Sequence, residues 1–338
     1  MIREILNSLV NGNNLKEEES LNIFLEIMSG KIDNIELSSF LTAMNIKGIT
    51  SEELTGAAKA MKKNALKIKP FENAIDIVGT GGDEKGTFNI STASAFIVSG
   101  AGLCVAKHGN VASTSKCGTA DVLLELGVNI NADVDIVEKC IEEVHMGFLF
   151  AKKFHTSMKY AALVRKTLPF RTIFNLLGPL TNPCDVKYNV LGVYDQSIIP
   201  LYIKCLKSLG SKHAAVFSSK TGVDEISLDS ISYVTELIDV KEKEYIIDPE
   251  KIFKKKYSLS DIKGNTAKDN AKILLSILDG EHSPYRDVAL LNSSMALIVG
   301  EKVDNIFDGI KLAEESIDSG KAKNVLNKLI EVSNDNFR

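Results

Sequence analysis

What the chain is short of narrows its class. No apolar stretch approaches the ~20 residues that a membrane-spanning helix needs, and the N-terminal stretch has no signal-peptide core. A cytoplasmic protein with no membrane partner is expected. The five cysteines (Cys104, Cys117, Cys140, Cys184, Cys205) are odd in number, scattered and without a Cys-x-x-Cys pair. That argues against a disulfide framework and against a zinc cluster, and predicts reduced thiols, with Cys117 as a small packing residue. Acidic and basic side chains nearly balance, for a formal net charge of −4. The molecule as a whole therefore has no pull toward nucleic acid, and any basic site must be local. The run Lys254-Lys255-Lys256 reads as solvated surface, and no repeat or low-complexity segment appears. Two common phosphate-binding patterns are also missing. From Gly81 the sequence reaches Gly86 but continues Thr87-Phe88 without the lysine of a P-loop. Gly79 and Gly81 begin a dinucleotide fingerprint that fails at Glu84.

What is present is ordinary globular material: 338 residues, 44% hydrophobic and 25% charged, enough to bury a substantial core in one large or two smaller domains. Residues 1 to about 66 read as four short helices. Ile2, Ile5, Leu6 and Leu9 share a face, as do Leu21, Phe24, Leu25 and Met28, which end at Gly30. Ile35, Leu37, Phe40, Leu41 and Met44 carry a third helix to Gly48, and Thr50 with Glu53 forms a capping box for a fourth bearing Leu54, Ala57, Ala58 and Met61. So small a bundle has little core of its own and should pack on something else. From about residue 72 short apolar runs alternate with helices. Runs 74–78, 103–106, 148–151, 189–193 and 213–217 read as buried parallel strands. The fold expected is α/β, with a mostly parallel central sheet flanked by helices and joined to a small all-helical domain.

Two glycine-containing loops follow the first two of these strands. Gly79-Thr80-Gly81-Gly82-Asp83 leads to Asn89-Ile90-Ser91-Thr92, which opens an apolar helix. Lys107-His108-Gly109-Asn110 leads to Ser113-Thr114-Ser115-Lys116-Cys117-Gly118-Thr119-Ala120-Asp121. Glycines let backbone amides approach an anion, and helix N-termini offer unpaired N–H groups and a favourable dipole. Two such cradles at the carboxyl ends of parallel strands suit a ligand with several phosphates.

Further along stand Phe154-His155, Met158-Lys159, Val164-Arg165, the run Arg171-Thr172-Ile173-Phe174-Asn175-Leu176-Leu177-Gly178-Pro179-Leu180-Thr181-Asn182-Pro183, and Asp224-Glu225-Ile226-Ser227. In order and spacing, over nearly the whole chain, this set resembles the anthranilate phosphoribosyltransferases. The resemblance implies transfer of phosphoribose from phosphoribosyl pyrophosphate to anthranilate in tryptophan synthesis, with Mg2+. It also implies a homodimer formed through the helical domain and no nucleic-acid partner. The helical domain would be discontinuous, 1–66 being joined by about 165–185, with 72–164 and 186–338 forming the α/β donor-binding domain. The donor would be held by Gly79, Gly82, Asp83, Thr87, Asn89, Ile90, Ser91, Thr92, Lys107, His108, Gly109, Asn110, Val111, Ala112, Ser113, Thr114, Ser115 and Thr119. Asn89 or Ser91 would also cap its helix, and Lys107 would act as a point charge on phosphate. Anthranilate would meet Gly79, Asn110 and Arg165, whose planar fork suits a carboxylate. Pro179 would supply apolar wall, and His108 and His155 would line the entry route. Metal would fall to Ser91, Asp224 and Glu225. On residue type alone Arg165 reads as a surface charge and Asp224-Glu225 as an exposed acidic turn.

An arylamine is a free nucleophile at neutral pH. No general acid or base is therefore required of the protein, only positioning and help to the leaving pyrophosphate. The chain departs from the family pattern at Val111, where arginine is common, at Cys117 and Thr119 in place of serines, and at Lys152 and Thr156 in place of prolines. These departures predict altered acceptor affinity with the same donor. Two other readings compete. A pyrimidine nucleoside phosphorylase would carry Lys-Met-Ser-Gly at the second loop and leave Asp224-Glu225 without a role. A nonenzymatic nucleic-acid-binding relative would show a broad basic surface.

Overall fold

A computed structural model describes residues 2–71, 73–112 and 116–335. The N-terminal helices are α1 (Ile2–Val10), α2 (Glu17–Met28), α3 (Asn34–Lys47) and α4 (Ser51–Asn64). Their expected apolar faces are largely those that pack. Phe24, Met28, Leu37, Phe40, Leu41, Met44, Leu54, Ala57, Ala58 and Met61 are buried, whereas Ile35, one residue into α3, is 81% exposed.

The Thr50–Glu53 capping box is present, and Glu53 does more than cap. Its Oε2 accepts from Thr50 N–H at 2.9 Å, its Oε1 accepts from Leu15 N–H at 2.9 Å, and Lys47 Nζ lies 2.9 Å from Oε2. These two side chains are 0% and 5% exposed. Removing the carboxylate strands a buried ammonium and two backbone donors, so Glu53→Ala should destabilise the fold by about 3–5 kcal/mol. Denaturant unfolding checks this, with Glu53→Gln expected to lose less.

The rest of the chain builds one seven-stranded sheet in the order β3-β2-β1-β4-β5-β6-β7. Its strands are β1 (Ala74–Gly79), β2 (Cys104–Gly109), β3 (Met146–Phe150), β4 (Tyr188–Gly192), β5 (His213–Ser219), β6 (Ser232–Ile238) and β7 (Lys241–Ile247). The first five in chain order are mutually parallel and correspond to the five runs expected. The last two, absent from the sequence reading, extend the sheet antiparallel. β7 begins Lys241-Glu242-Lys243-Glu244, an exposed charged edge that carries no apolar run and blunts further pairing.

Helices cover both faces. α5 (Ile90–Gly100), α6 (Thr119–Glu125) and α7 (Val134–Val144) pack on one face with the five C-terminal helices (Pro249–Phe253, Ala267–Leu278, Pro284–Val299, Ile306–Asp318, Lys321–Ser333). The other face, through Leu191, Val193, Ala214, Val216 and Leu237, shares a core with α1–α4. The same core takes in α11 (Ile199–Ser208) and a middle segment holding α9 (Ala162–Thr167) and α10 (Ile173–Leu177). Alternation along β5 shows the division: Ala215 and Phe217 point to one core, Ala214 and Val216 to the other. From the middle segment Ala161, Val164, Ile173, Phe174, Leu176, Leu177 and Leu180 join the core of the N-terminal bundle. Among the described residues no helix is long and apolar enough to cross a membrane.

Candidate active site

Strand order reverses direction between β1 and β4: the chain runs outward from β1 through β2 to β3, then returns to β4 and runs the other way. In open α/β sheets the crevice beyond such a switch point is where ligands bind. Both strands end there in glycine, Gly79 and Gly192, and each packs against Asp224. A Cβ on Gly79 would strike the Asp224 carboxylate, and one on Gly192 would strike the Asp224 carbonyl. Two residues 145 and 32 positions distant from Asp224 thus lack side chains because that residue fills the space.

The first loop is shaped by Gly81 and Gly82, with φ of 70° and 71°, a backbone region that only glycine enters freely. Gly81 N–H donates to Asp224 Oδ2 at 2.7 Å, and Thr80 N–H donates to the Gly192 carbonyl at 2.9 Å. Asp83 Oδ1 accepts from Lys85 N–H at 3.0 Å, while its Oδ2 is buried with no hydrogen-bond partner among the described residues. Thr87 makes an isolated antiparallel bridge to Lys263, which fastens the far end of the loop.

α5 then begins at Ile90, with Asn89 at its N-cap. The side-chain cap expected from Asn89 or Ser91 is not formed. Ser91 N–H instead donates to Glu225 Oε1 at 3.1 Å, because a carboxylate at the positive end of the helix supplants a weaker neutral cap. Ile90 and Thr92 are buried beneath it.

The second loop leaves β2 at Gly109. Lys107, expected to meet phosphate, is only 1% exposed, and its Nζ donates to the Ile77 carbonyl at 2.6 Å and to Ser91 Oγ at 3.2 Å. It lies in the floor of the site, where burial pushes its pKa below the ordinary lysine value although the nearby Asp76 and Glu225 favour its charge. Asn110 is exposed, and its carbonyl accepts from Ala120 N–H at 3.1 Å. Asp121 Oδ2 gathers the loop by accepting from Ala112 N–H at 2.9 Å and Gly118 N–H at 2.8 Å. Thr92 Oγ1 donates to Thr119 Oγ1 at 3.3 Å, linking the starts of the two loop-bound helices. Val111 packs partly buried against the core. Burial pushes the Cys117 thiol up to about 12, so it stays protonated, as suits a packing residue. Ser113, Thr114 and Ser115 lie outside the described residues.

Asp224 and Glu225 are not the exposed turn that residue type alone suggests; each is 9% exposed. Burial, with the neighbouring Asp83 carboxylate, pushes Asp224 up to about 7. Burial, with Asp224 beside it, pushes Glu225 up to about 8. Adjacent carboxylates held at such a cost, with an unpartnered Asp83 oxygen facing them, fit a hard divalent cation. Among the described residues no group of three or more His, Cys, Asp or Glu side chains gathers around one metal position. A cation at Asp224 and Glu225 would complete its shell with water and ligand oxygens.

Two imidazoles form the wall toward the helical segment. The His108 and His155 rings meet edge-to-face, with centroids 5.2 Å apart. His108 Nδ1 lies 3.2 Å from the Gly178 carbonyl and His155 Nε2 lies 3.0 Å from that of Thr181. A carbonyl can only accept, so these nitrogens carry the protons, and His108 Nε2 and His155 Nδ1 remain as buried acceptors without a partner among the described residues. Burial holds His108 down to about 3, aided by the neighbouring ring, and His155 down to about 4.

Because folding lowers both values from 6.5, the unfolded chain takes up these protons first. Each ring therefore loses the fold roughly 2 kcal/mol between pH 7 and pH 5. Asparagine at 108 and glutamine at 155 would keep the donor to each carbonyl without the titration. The stability of this double variant relative to wild type should rise as the pH falls from 7 to 5, measured by denaturant unfolding at each pH. A difference independent of pH would contradict the assignment.

Arg165, in α9, lies over the Phe174 ring at 5.4 Å. Among the described residues it is joined to no other member of the set by a hydrogen bond or ion pair. Pro179 is buried beside Gly178. Arg171, to which the sequence assigns no role, reaches the first loop directly: it donates to the Gly82 carbonyl, and its guanidinium lies 4.1 Å from the Tyr194 ring centroid. A lone arginine carries no pattern signal; its only mark is its place before Thr172-Ile173-Phe174-Asn175.

Comparison with known proteins accounts for this arrangement. Residues 3–65 match the helical bundle domain of a glycosyl transferase family and residues 71–323 match its a/b domain. Anthranilate phosphoribosyltransferase of Methanobrevibacter smithii is 46% identical over 334 residues, covering 99% of this chain and 100% of that one. The chain belongs to the anthranilate phosphoribosyltransferase family. The family enzyme of Petrotoga mobilis is 45% identical, with 99% and 97% of the two chains covered. Among solved structures, the Thermus thermophilus enzyme superposes with a TM-score of 0.92 at 34% identity, over 97% of this chain and 98% of that one. The Saccharomyces cerevisiae enzyme in complex with phosphoribosyl pyrophosphate and Mg superposes with a TM-score of 0.91 at 30% identity, over 98% and 97%. The competing phosphorylase and nucleic-acid-binding readings are not favoured by any of these relatives.

Proposed function

We propose that the chain transfers the phosphoribosyl group of phosphoribosyl pyrophosphate to anthranilate, releasing pyrophosphate, in the crevice beyond β1 and β4. The observation that carries the assignment to residues is the meeting of the first glycine loop and the start of α5 with the buried Asp224–Glu225 pair at this switch point, with Lys107 at the end of β2 joined to Ser91 beside them.

The donor's pyrophosphate would take the amides of Gly79, Gly82 and Asp83 with Thr87 and the start of α5 at Asn89–Thr92. The segment 107–115 and Thr119 would embrace the pyrophosphate, ribose and 5′-phosphate, with Lys107 acting through its charge from below. From beneath, Lys107 holds Ser91 Oγ and balances Asp76 and Glu225, and so sets the potential of the floor. Asp224 and Glu225, with the Ser91 hydroxyl, would hold Mg2+, which when bound offsets the charge growing on the departing pyrophosphate. Arg165 would anchor the anthranilate carboxylate, with Gly79 and Asn110 at its amine and ring. His108 and His155 would line its entry route. The reacting centre is oxocarbenium-like, so closure of the cleft between the two cores would exclude water.

Phosphorus NMR tests the reaction class. With anthranilate and Mg2+, pyrophosphate should appear as the donor disappears, one for one. Phosphate-dependent cleavage of uridine in its place would support the nucleoside phosphorylase reading.

The helical unit, residues 1–66 with about 165–185, also carries the surface for a homodimer. Within it Val10, Ile35 and Ile46 are 75%, 81% and 82% exposed, and Leu163, just before its second part, is 61% exposed. Sedimentation should give twice the chain mass at micromolar concentration, and Ile35→Glu with Ile46→Glu should shift it to the monomer.

A further inference from the structure

Arg171 lies at the junction of the cleft's two sides. It belongs to the segment between α9, which carries Arg165, and α10, both packed in the core of the N-terminal helices. Its guanidinium stacks on Tyr194, in the loop just beyond β4, at 4.1 Å, and donates to the Gly82 carbonyl in the first glycine loop. A Cβ on Gly82 would run into that guanidinium, and Gly82 has a φ of 71°. Three chain segments that are remote in sequence therefore converge on one planar group.

The consequence follows from the geometry of a peptide. In a trans peptide the C=O of one residue and the N–H of the next point in opposite directions. Holding the Gly82 carbonyl toward Arg171 thus turns Asp83 N–H the other way. Few other contacts fix this stretch: Gly81 N–H is tied to Asp224 and Lys85 N–H to Asp83, while both glycines leave the backbone free to rotate. Lysine could supply the charge but neither the stacked plane nor the fork that aims a donor while the plane is held.

We propose that Arg171 is a positioning residue for donor binding. It holds the Gly82 carbonyl and so aims the Asp83 amide at the donor's pyrophosphate, which makes loop order depend on the helical segment. This inference rests on the reading of residues 79–83 as the donor cradle.

The test is steady-state kinetics with each substrate varied, together with calorimetric binding of phosphoribosyl pyrophosphate with Mg2+. It compares wild type, Arg171→Ala, Arg171→Lys, Gly82→Ala and the double variant Arg171→Ala/Gly82→Ala. Arg171→Ala should weaken donor binding and raise donor KM about tenfold, with anthranilate KM at saturating donor changed less than about twofold. Arg171→Lys should fall between it and wild type. Gly82→Ala should show the same donor-selective defect, and the double variant should be no worse than the more affected single one. Should Arg171→Ala fail to fold, Arg171→Lys carries the same comparison. An unchanged donor KM in the arginine variants, equal losses for both substrates, or additive effects would overturn the inference while leaving the donor cradle in place. A wild type that binds no donor would remove the cradle reading and this inference with it.

Discussion

Asp224→Asn is expected to lower kcat/KM by about 10²- to 10³-fold while leaving the metal-free protein at least as stable as the wild type. The two effects have one cause. Asp224 and Glu225 are raised well above their ordinary range first by burial and then by the neighbouring carboxylates, Asp83 beside Asp224 and Asp224 beside Glu225. Like charges so placed oppose folding, and a neutral isostere relieves the repulsion. The same charge would attract Mg2+ and, through Oδ2, fixes Gly81 N–H. Asparagine keeps an oxygen for that amide but removes the charge, so the loss should fall on catalysis and on the Mg2+ concentration needed for half-maximal rate. Initial rates over a Mg2+ series and thermal melts in chelator separate these. A variant that is less stable without metal, yet keeps the wild-type response to Mg2+, would show that Asp224 serves the fold and not the cation.

Arg165→Ala carries the second largest effect, an increase of about 10²-fold in anthranilate KM with donor KM within about twofold of wild type. Arg165 sits on a six-residue helix with its guanidinium over the Phe174 ring, which leaves the fork free of any acid among the described residues. An unpaired arginine beside an aromatic face is suited to a flat carboxylate-bearing ring. Arg165→Lys retains the charge but not the bidentate geometry and should recover only part of the loss. Equal KM increases for both substrates would place Arg165 in the structure of the helical segment instead.

Much of this architecture is legible in the sequence, for reasons that can be named. Parallel strands buried on both faces are mostly apolar, so β1 to β5 stand out as short runs despite Asp76, Lys107 and Asn189 within them, and the glycine loops after β1 and β2 mark their carboxyl ends. β6 and β7 are hidden because an antiparallel edge alternates in character, and Lys241-Glu242-Lys243-Glu244 looks like loop until its partner is known. Site residues contributed by the glycine loops can be found from their spacing. Those that depend on the meeting of distant segments cannot. Nothing local distinguishes Asp224 from an exposed turn; its burial follows from the two strand-ending glycines that make room for it. The burial of Lys107 is not legible either, since its side chain enters the floor toward Ile77 and Ser91 only once β1 and α5 lie beside β2. The contact between His108 and His155 and the reach of Arg171 to Gly82 likewise exist only once the helical segment lies against the sheet.

The measurement that bears most directly on the whole account is anthranilate fluorescence followed after addition of phosphoribosyl pyrophosphate and Mg2+ to the wild-type protein. Joined donor and acceptor sites predict loss of the signal in proportion to donor supplied, with none when donor or Mg2+ is withheld. A folded protein that binds the donor by calorimetry and leaves the fluorescence unchanged would contradict it.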